Sequence, residues 1–192
     1  DVEMSGEVKK SFIEYSMSVI TSRALPDVRD GMKPGQRRIL WALYQVYDGR
    51  TQKVANIVGN TMHYHPHGDA SIYGALVNLA NKEIFIEKQG NFGNMYTGDG
   101  ASAPRYIECR LRPLTKDILY NPEITRYVPS YDGRGKEPVV FRAKLPLALI
   151  MGAEGIAVGM STKILPHNIK DVIEAEKAYL SGKDFKIYPD FP

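Results

Sequence analysis

Two imidazoles and a carboxylate recur at every second position in His65-Pro66-His67-Gly68-Asp69. Ligands at such spacing can converge on a metal, and Ala70, which cannot ligate, follows them. The other histidines are His63 and His167, and no later cluster supplies a second ligand set. The expectation is therefore no metal, and a turn whose histidines meet a phosphate or a neighbouring backbone. Gln89-Gly90-Asn91-Phe92-Gly93-Asn94 has the bare N–H groups that can cradle phosphate. It lacks both a Gly-x-x-x-x-Gly-Lys run and a strand–Gly-x-Gly-x-x-Gly–helix unit, so it reads as a strand connection. Arg105-Tyr106 pairs a phenol with a guanidinium. A phenol with an ordinary pKa of about 10 is a poor nucleophile, and an adjacent cation is what a phenolate attacking a phosphate needs. Cys109 has no histidine near it in sequence and reads as core. Arg23, Arg29, Lys33, Arg37 and Arg38 concentrate positive charge in one region. Such a set is either a solvated face or a track for nucleic-acid phosphates.

These residues need elements to hold them. A chain of 192 residues, against about 150 per domain, has room for one domain and part of another. With 43% hydrophobic and 24% charged residues the composition is that of a globular protein, which excludes wholesale disorder. A single cysteine excludes an internal disulfide framework and any multi-cysteine metal site, and a cytoplasmic location is expected. The net charge of +3 permits nucleic-acid binding without requiring it. The longest apolar run, Leu145 to Met151, is far short of the ~20 residues that cross a bilayer, so no membrane role is expected. The acidic start Asp1-Val2-Glu3-Met4 has no signal-peptide pattern, and the chain reads as a piece of a longer protein.

Val8, Phe12, Tyr15 and Val19 recur at helical spacing and mark a first helix that ends before Pro26. Pro34 suits the start of a second, which buries Ile39, Leu40, Leu43 and Val46 and turns Lys33, Arg37 and Arg38 to solvent or a ligand. A short apolar segment, Val54 to Gly59, leads to the histidine turn, after which Asp69 can cap a helix with Ile72, Leu76 and Leu79 on its core face. Two short helices joined by a Pro- and Gly-containing turn make a helix-turn-helix candidate. Strand signals at Ile84–Ile86 and Arg105–Leu111 flank the Gly-rich loop, so an α+β fold of winged-helix type is expected. Beyond Tyr131-Asp132-Gly133 extended segments follow at Val139–Phe141, Leu147–Met151 and Ile156–Met160, and a last helix runs from a cap at Asn168 to a stop at Gly182. A domain boundary is expected near Ser130, dividing 1–130 from 131–192.

Taken in order, Arg23-Ala24-Leu25-Pro26-Asp27-Val28-Arg29-Asp30-Gly31, Lys33-Pro34, Arg37-Arg38, Tyr64-His65-Pro66-His67-Gly68-Asp69, Gln89-Gly90-Asn91-Phe92-Gly93, Arg105-Tyr106, Tyr131-Asp132-Gly133 and Gly155-Ile156-Ala157-Val158-Gly159-Met160 resemble the A subunit of bacterial type IIA topoisomerases, gyrase or topoisomerase IV. The resemblance covers nearly the whole chain. It implies an isomerase that cuts and rejoins both strands of duplex DNA to pass a second duplex. Tyr106 would attack a scissile phosphate, leaving a 5′-phosphotyrosine and a free 3′-hydroxyl, and Arg105 would stabilise the phosphoryl oxygens. His65 and His67 would lie close to the cleavage site. Arg23, Lys33, Arg37 and Arg38 would follow the DNA backbone, and Ile156 would be an apolar wedge between base pairs.

By the same resemblance, the helix that begins at Asp69 would enter the major groove. It carries no Lys or Arg until Lys82, so phosphate neutralisation must come from elsewhere. Mg2+ and ATP would belong to a partner B subunit in an A2B2 assembly, since neither an Asp-x-Asp cluster nor a P-loop occurs here. A homodimer and a nucleoid-associated location are also implied. Residues 131–192 would begin a truncated tower domain. Many family members carry Ser or Thr directly after the motif aspartate and an acidic residue four positions later, which together hold a water–metal bridge to quinolones; Ala70 and Gly74 stand there instead. The competing readings are a winged-helix DNA-binding protein without cleavage activity and a metal-dependent hydrolase. The choice between gyrase and topoisomerase IV depends on elements beyond this sequence.

Overall fold

The structure is a computed structural model and describes residues 4–190, so the acidic start Asp1-Val2-Glu3 and the final Phe191-Pro192 lie outside the described residues. Helix α1 (Met4–Val19) continues through one wider π turn, Ile20–Ala24. Then come α2 (Pro34–Gln45), β1 (Gln52–Lys53), α3 (Val54–Thr61), α4 (Asp69–Asn81), β2 (Ile86–Gln89), β3 (Glu108–Leu111), α5 (Pro113–Leu119), β4 (Tyr127–Pro129) and β5 (Lys136–Pro138). The chain ends in α6 (Leu147–Met151), β6 (Ala153–Ile156), β7 (Ser161–Ile164) and α7 (Ile169–Leu180). Helices with small antiparallel sheets make this an α+β fold, as expected.

The contacts divide the chain into two compact units, one of Gly35–Leu145 and one built from the segments up to Pro34 and from Pro146 onward. Ser130, where the sequence suggests a boundary, lies inside the first of these, between the paired strands β4 and β5.

In the Gly35–Leu145 unit, β1, β3 and β2 form an antiparallel sheet in that order, with Gln52 opposite Cys109 and Ile86 opposite Leu111. Its core is drawn from Ile39, Leu40 and Leu43 of α2, Ile57 of α3, Ile72, Leu76 and Leu79 of α4, and Phe85, Ile86, Ile107, Cys109 and Leu111 around the sheet, all buried. The segment Val54–Gly59 is a helix and not merely an apolar stretch: Val54, Ile57, Val58 and Thr61 fall on its buried face at spacings of three, one and three. β-Branched residues disfavour helix intrinsically by a few tenths of a kcal/mol each, and burial of the face outweighs that. Helix α2 ends at Gln45, one residue before Val46, which is only half-buried. Gly68, not Asp69, holds the cap position of α4; Asp69 lies in the first turn, its Oδ1 accepting from the Ala70 N–H at 2.8 Å, where its charge complements the helix dipole.

In the other unit, β6 and β7 form a hairpin with Ile156 opposite Ser161. Leu147–Met151, expected to be extended, is the helix α6, with Leu147, Ile150 and Met151 buried at spacings of three and one. A five-residue apolar run fits either period, and tertiary burial chose the helical one. Helix α7 follows the local signals: Asn168 Oδ1 accepts from the Lys170 N–H at 2.9 Å, and Gly182 stands past the end at φ +67°. Helix α1 has the expected spacing but buries none of its residues.

Candidate nucleic-acid interface

Tyr106 sits on a tight turn, its N–H donating to the Ala103 carbonyl at 2.9 Å. The turn is fastened to the start of α3. The first N–H groups of a helix have no partner within it. Here Val54 N–H donates to the Ile107 carbonyl at 3.0 Å and Ala55 N–H to the Pro104 carbonyl at 3.1 Å. On its other side the segment is held by Ser102 N–H donating to Asn91 O at 3.0 Å and by Tyr73 Oη donating to Ser102 O. Gly90 belongs to this clamp: at φ +102° a Cβ would stand 2.9 Å from Ile107 Cγ2, so only glycine permits the approach. Ile107 is thereby buried, while the neighbouring Tyr106 side chain remains 65% exposed. The Arg105 guanidinium carbon lies 4.5 Å from the centroid of the Tyr106 ring. A phenol is thus presented to solvent on a rigid turn with a cation against its ring, an arrangement suited to attack on a bound phosphodiester.

His65 and His67 stand at the other end of α3, which at eight residues is about 12 Å long. The His65 N–H donates to Thr61 O at 2.9 Å, and the two imidazoles stack with centroids 3.8 Å apart. Arg38 Nη1 lies 3.0 Å from His65 Nδ1, and its Nε and Nη2 donate to Glu137 Oε2 and Oε1 at 2.6 and 2.9 Å. Burial, then His67, then Arg38 lower the His65 pKa to about 4. The β4–β5 hairpin is further joined to this region by Trp41 Nε1 donating to Lys136 O at 2.8 Å and by His63 Nδ1 at 3.2 Å from Asp132 Oδ2. The Ser130 hydroxyl, the Arg134 N–H and His63 together hold the Asp132 carboxyl below its ordinary value.

Arg37 departs from the expected solvent-facing position: it is only 8% exposed. Arg38 is half-buried and engaged by Glu137 and His65 rather than open. Neither Glu137 nor Asp132 was singled out by spacing, because they lie 99 and 69 residues from their partners.

The remaining expected contacts belong to the second unit. Arg23 is exposed on the π turn, and Arg29 forms a two-point ion pair with Asp27 at 2.9 and 2.7 Å. Lys33 Nζ donates to the Glu154 carbonyl at 2.7 Å. Gly155 allows this hairpin to seat, since a Cβ there would collide with the Ala24 carbonyl and stand 3.3 Å from Lys33 Nζ. Next to it Ile156 is 82% exposed at the hairpin tip, where Ala157 N–H donates to Met160 O at 2.9 Å. Among the described residues, no three His, Cys, Asp or Glu side chains are grouped to hold a metal ion, and no helix is long and apolar enough to cross a membrane.

Helices and small antiparallel sheets thus expose a phenol beside a guanidinium on a hydrogen-bonded turn. The model of the family that comprises the A subunit of DNA gyrase/topoisomerase IV matches residues 23–192, and the chain belongs to that family. The A subunit of DNA topoisomerase 4 from Borreliella burgdorferi is 61% identical over 185 residues, covering 96% of this chain and 30% of that protein. The DNA gyrase A subunit from Streptococcus pyogenes is 44% identical over 210 residues, covering all of this chain and 25% of the relative. Its counterpart from Staphylococcus epidermidis is 44% identical over 207 residues, with 98% and 23% covered. The chain thus spans less than a third of the length of these relatives.

Proposed function

We propose that this chain is the DNA breakage and rejoining part of the A subunit of a type IIA topoisomerase. The observation that carries the reading is Tyr106, exposed on its pinned turn with the Arg105 guanidinium against the ring. In the forward step the Tyr106 oxygen bonds to a backbone phosphorus and loses its proton. The bond from phosphorus to the 3′-oxygen breaks, and that oxygen leaves as a hydroxyl with a proton. Reversal by the 3′-hydroxyl restores the strand, because the phosphotyrosine conserves the energy of the phosphodiester. Arg105 bears positive charge where the transition state gathers negative charge. Two such cuts, one per strand, open a duplex for passage of another and change DNA topology.

The α3–turn–α4 pair with the β1-β3-β2 sheet acts in this reading as a winged-helix unit, α4 lying in the major groove. Arg23, Lys33, Arg37 and Arg38 serve the backbone, Lys33 and Arg37 by shaping the site rather than as free cations. His65 and His67 meet phosphate, and an isoleucine exposed at a hairpin tip, Ile156, has the form of a wedge that unstacks a base step. The working enzyme is an A2B2 assembly in the bacterial cytoplasm, on the nucleoid, with the two copies of this chain paired across the DNA gate. The B subunit supplies ATP turnover and Mg2+. Among the described residues no three metal-ligating side chains are grouped to hold Mg2+, and the sequence has no P-loop to cradle ATP.

Tyr106→Phe in the full-length A chain, reconstituted with its B subunit, is expected to abolish protein-linked DNA on denaturing gels while DNA binding persists. The ring and its packing remain, and only the nucleophilic oxygen is lost. Adduct formation by the variant would reject the role of Tyr106. Binding without adduct in the wild-type enzyme would favour a winged-helix binder without cleavage activity.

A further inference from the structure

Glu137 is a buried carboxylate with both oxygens committed to one arginine. That arginine bridges α2 and the histidine turn, with Nη1 3.0 Å from His65 Nδ1. A guanidinium has five donors and no acceptor, and it stays charged at any pH the fold survives. A nitrogen that faces it within hydrogen-bond distance must offer a lone pair. His65 Nδ1 is therefore unprotonated, and in the neutral ring the proton sits on Nε2. Nε2 faces Gly35, where a Cβ would stand at an ordinary contact distance of 3.4 Å.

We infer that Glu137 is a positioning residue that holds Arg38 against His65 and so fixes the Nε2–H tautomer, making His65 a neutral hydrogen-bond donor to a DNA phosphate oxygen. The role differs from that of a cation. A protonated His65 would aim an N–H at Arg38, while a neutral ring donates one directed bond and leaves charge neutralisation to other groups. The low His65 pKa agrees with this geometry. The charged and titratable groups facing the ring are Arg38 from α2, His67 from its own turn and, behind Arg38, Glu137 of β5. The two-point contact matters because a single hydrogen bond would let the guanidinium rotate away from the ring.

This inference rests on the breakage reading for its phosphate partner but not for its tautomer. The test combines ring-nitrogen NMR of the full-length chain labelled at histidine, with His65→Asn to assign the signal, and DNA cleavage by the reconstituted enzyme across pH. At pH 7 the wild-type His65 is expected to be protonated on Nε2 and bare on Nδ1. Glu137→Gln, which keeps the shape but not the charge, is expected to mix the tautomers and slow cleavage by about 100-fold with DNA binding retained. It should also acquire an acid limb rising toward the ordinary histidine value of about 6.5, absent from the wild type, as Arg38 leaves the ring. A simple structural role would lower the rate without that limb. A wild-type ring protonated on Nδ1, or a Glu137→Gln enzyme with the wild-type rate and pH profile, overturns the inference. Should Glu137→Gln fail to fold, the wild-type tautomer still decides. Absence of tyrosine-linked DNA from the wild-type enzyme overturns the breakage reading instead and leaves the tautomer to its own spectrum.

Discussion

Tyr106 and Cys109 lie three residues apart and meet opposite environments. Cys109 is fully buried in the middle strand of the sheet, and burial pushes its thiol up to about 12, so it is inert where a nucleophile must be accessible. Tyr106 stands in solvent on a turn. His65 lies between these extremes, and its depressed pKa has a consequence for stability. Its folded value is about 4, while the unfolded chain has the ordinary value of about 6.5. Between the two the unfolded state binds more protons, so stability falls as pH drops from 6.5 and levels off below 4. After allowance for solvent screening the loss is about 2 kcal/mol. Glu83, Glu87 and Glu108 are held below their ordinary values by Lys88, Arg110 and Lys53 respectively, and their contributions fade only below about pH 4.5. The window from 6.5 to 4.5 thus reports histidine. Thermal unfolding should show a steeper acid loss there for wild type than for His65→Asn; equal slopes would contradict the shift.

At the scale of elements, α4 carries a departure with a measurable outcome. Ala70 and Gly74 are one helical turn apart, and a Cβ at Gly74 would meet nothing within 4 Å. The resemblance places the two anchors of a quinolone water–metal bridge at these positions, and neither side chain can form a hydrogen bond. Each missing charge-assisted contact is worth about 1.5–3 kcal/mol, or roughly ten- to 150-fold in affinity. If the full-length A chain with its B subunit cleaves DNA as proposed, quinolones should trap little cleaved DNA, and Ala70→Ser combined with Gly74→Asp should raise trapping. The open space at Gly74, and relief of about 1 kcal/mol for a helix-interior glycine, leave the double variant free to fold. Efficient trapping by the unaltered enzyme would show that other groups hold the drug.

The whole molecule has two units of unlike construction. Gly35–Leu145 is continuous in sequence and contains its own three-stranded sheet and core. The second unit is assembled from chain segments on either side of it. A fragment of Gly35–Leu145 is accordingly expected to unfold in one cooperative step, with Trp41 fluorescence and far-ultraviolet circular dichroism changing together. Trp41 is buried and is the only tryptophan, so its emission reports the packing of α2 directly. Separate transitions would mean that this unit depends on the rest of the chain.

The amino-acid sequence by itself determined the family, through long motifs kept in order, and it marked Arg105-Tyr106 as the pair to examine. It also determined features whose causes lie within a few residues, such as α7, where the Asn168 cap and Gly182 act on adjacent backbone. The tertiary structure alone decided that Arg37 is buried, that Arg38 answers to Glu137 across 99 residues and that Lys33 is tied to Glu154 across 121. It also decided that Leu147–Met151 coils and that α1 buries none of its residues against the rest of the chain. The physical reason is range. Caps, turns and periodicity depend on neighbours along the chain, whereas the use made of a charge or an apolar face depends on what folding brings against it.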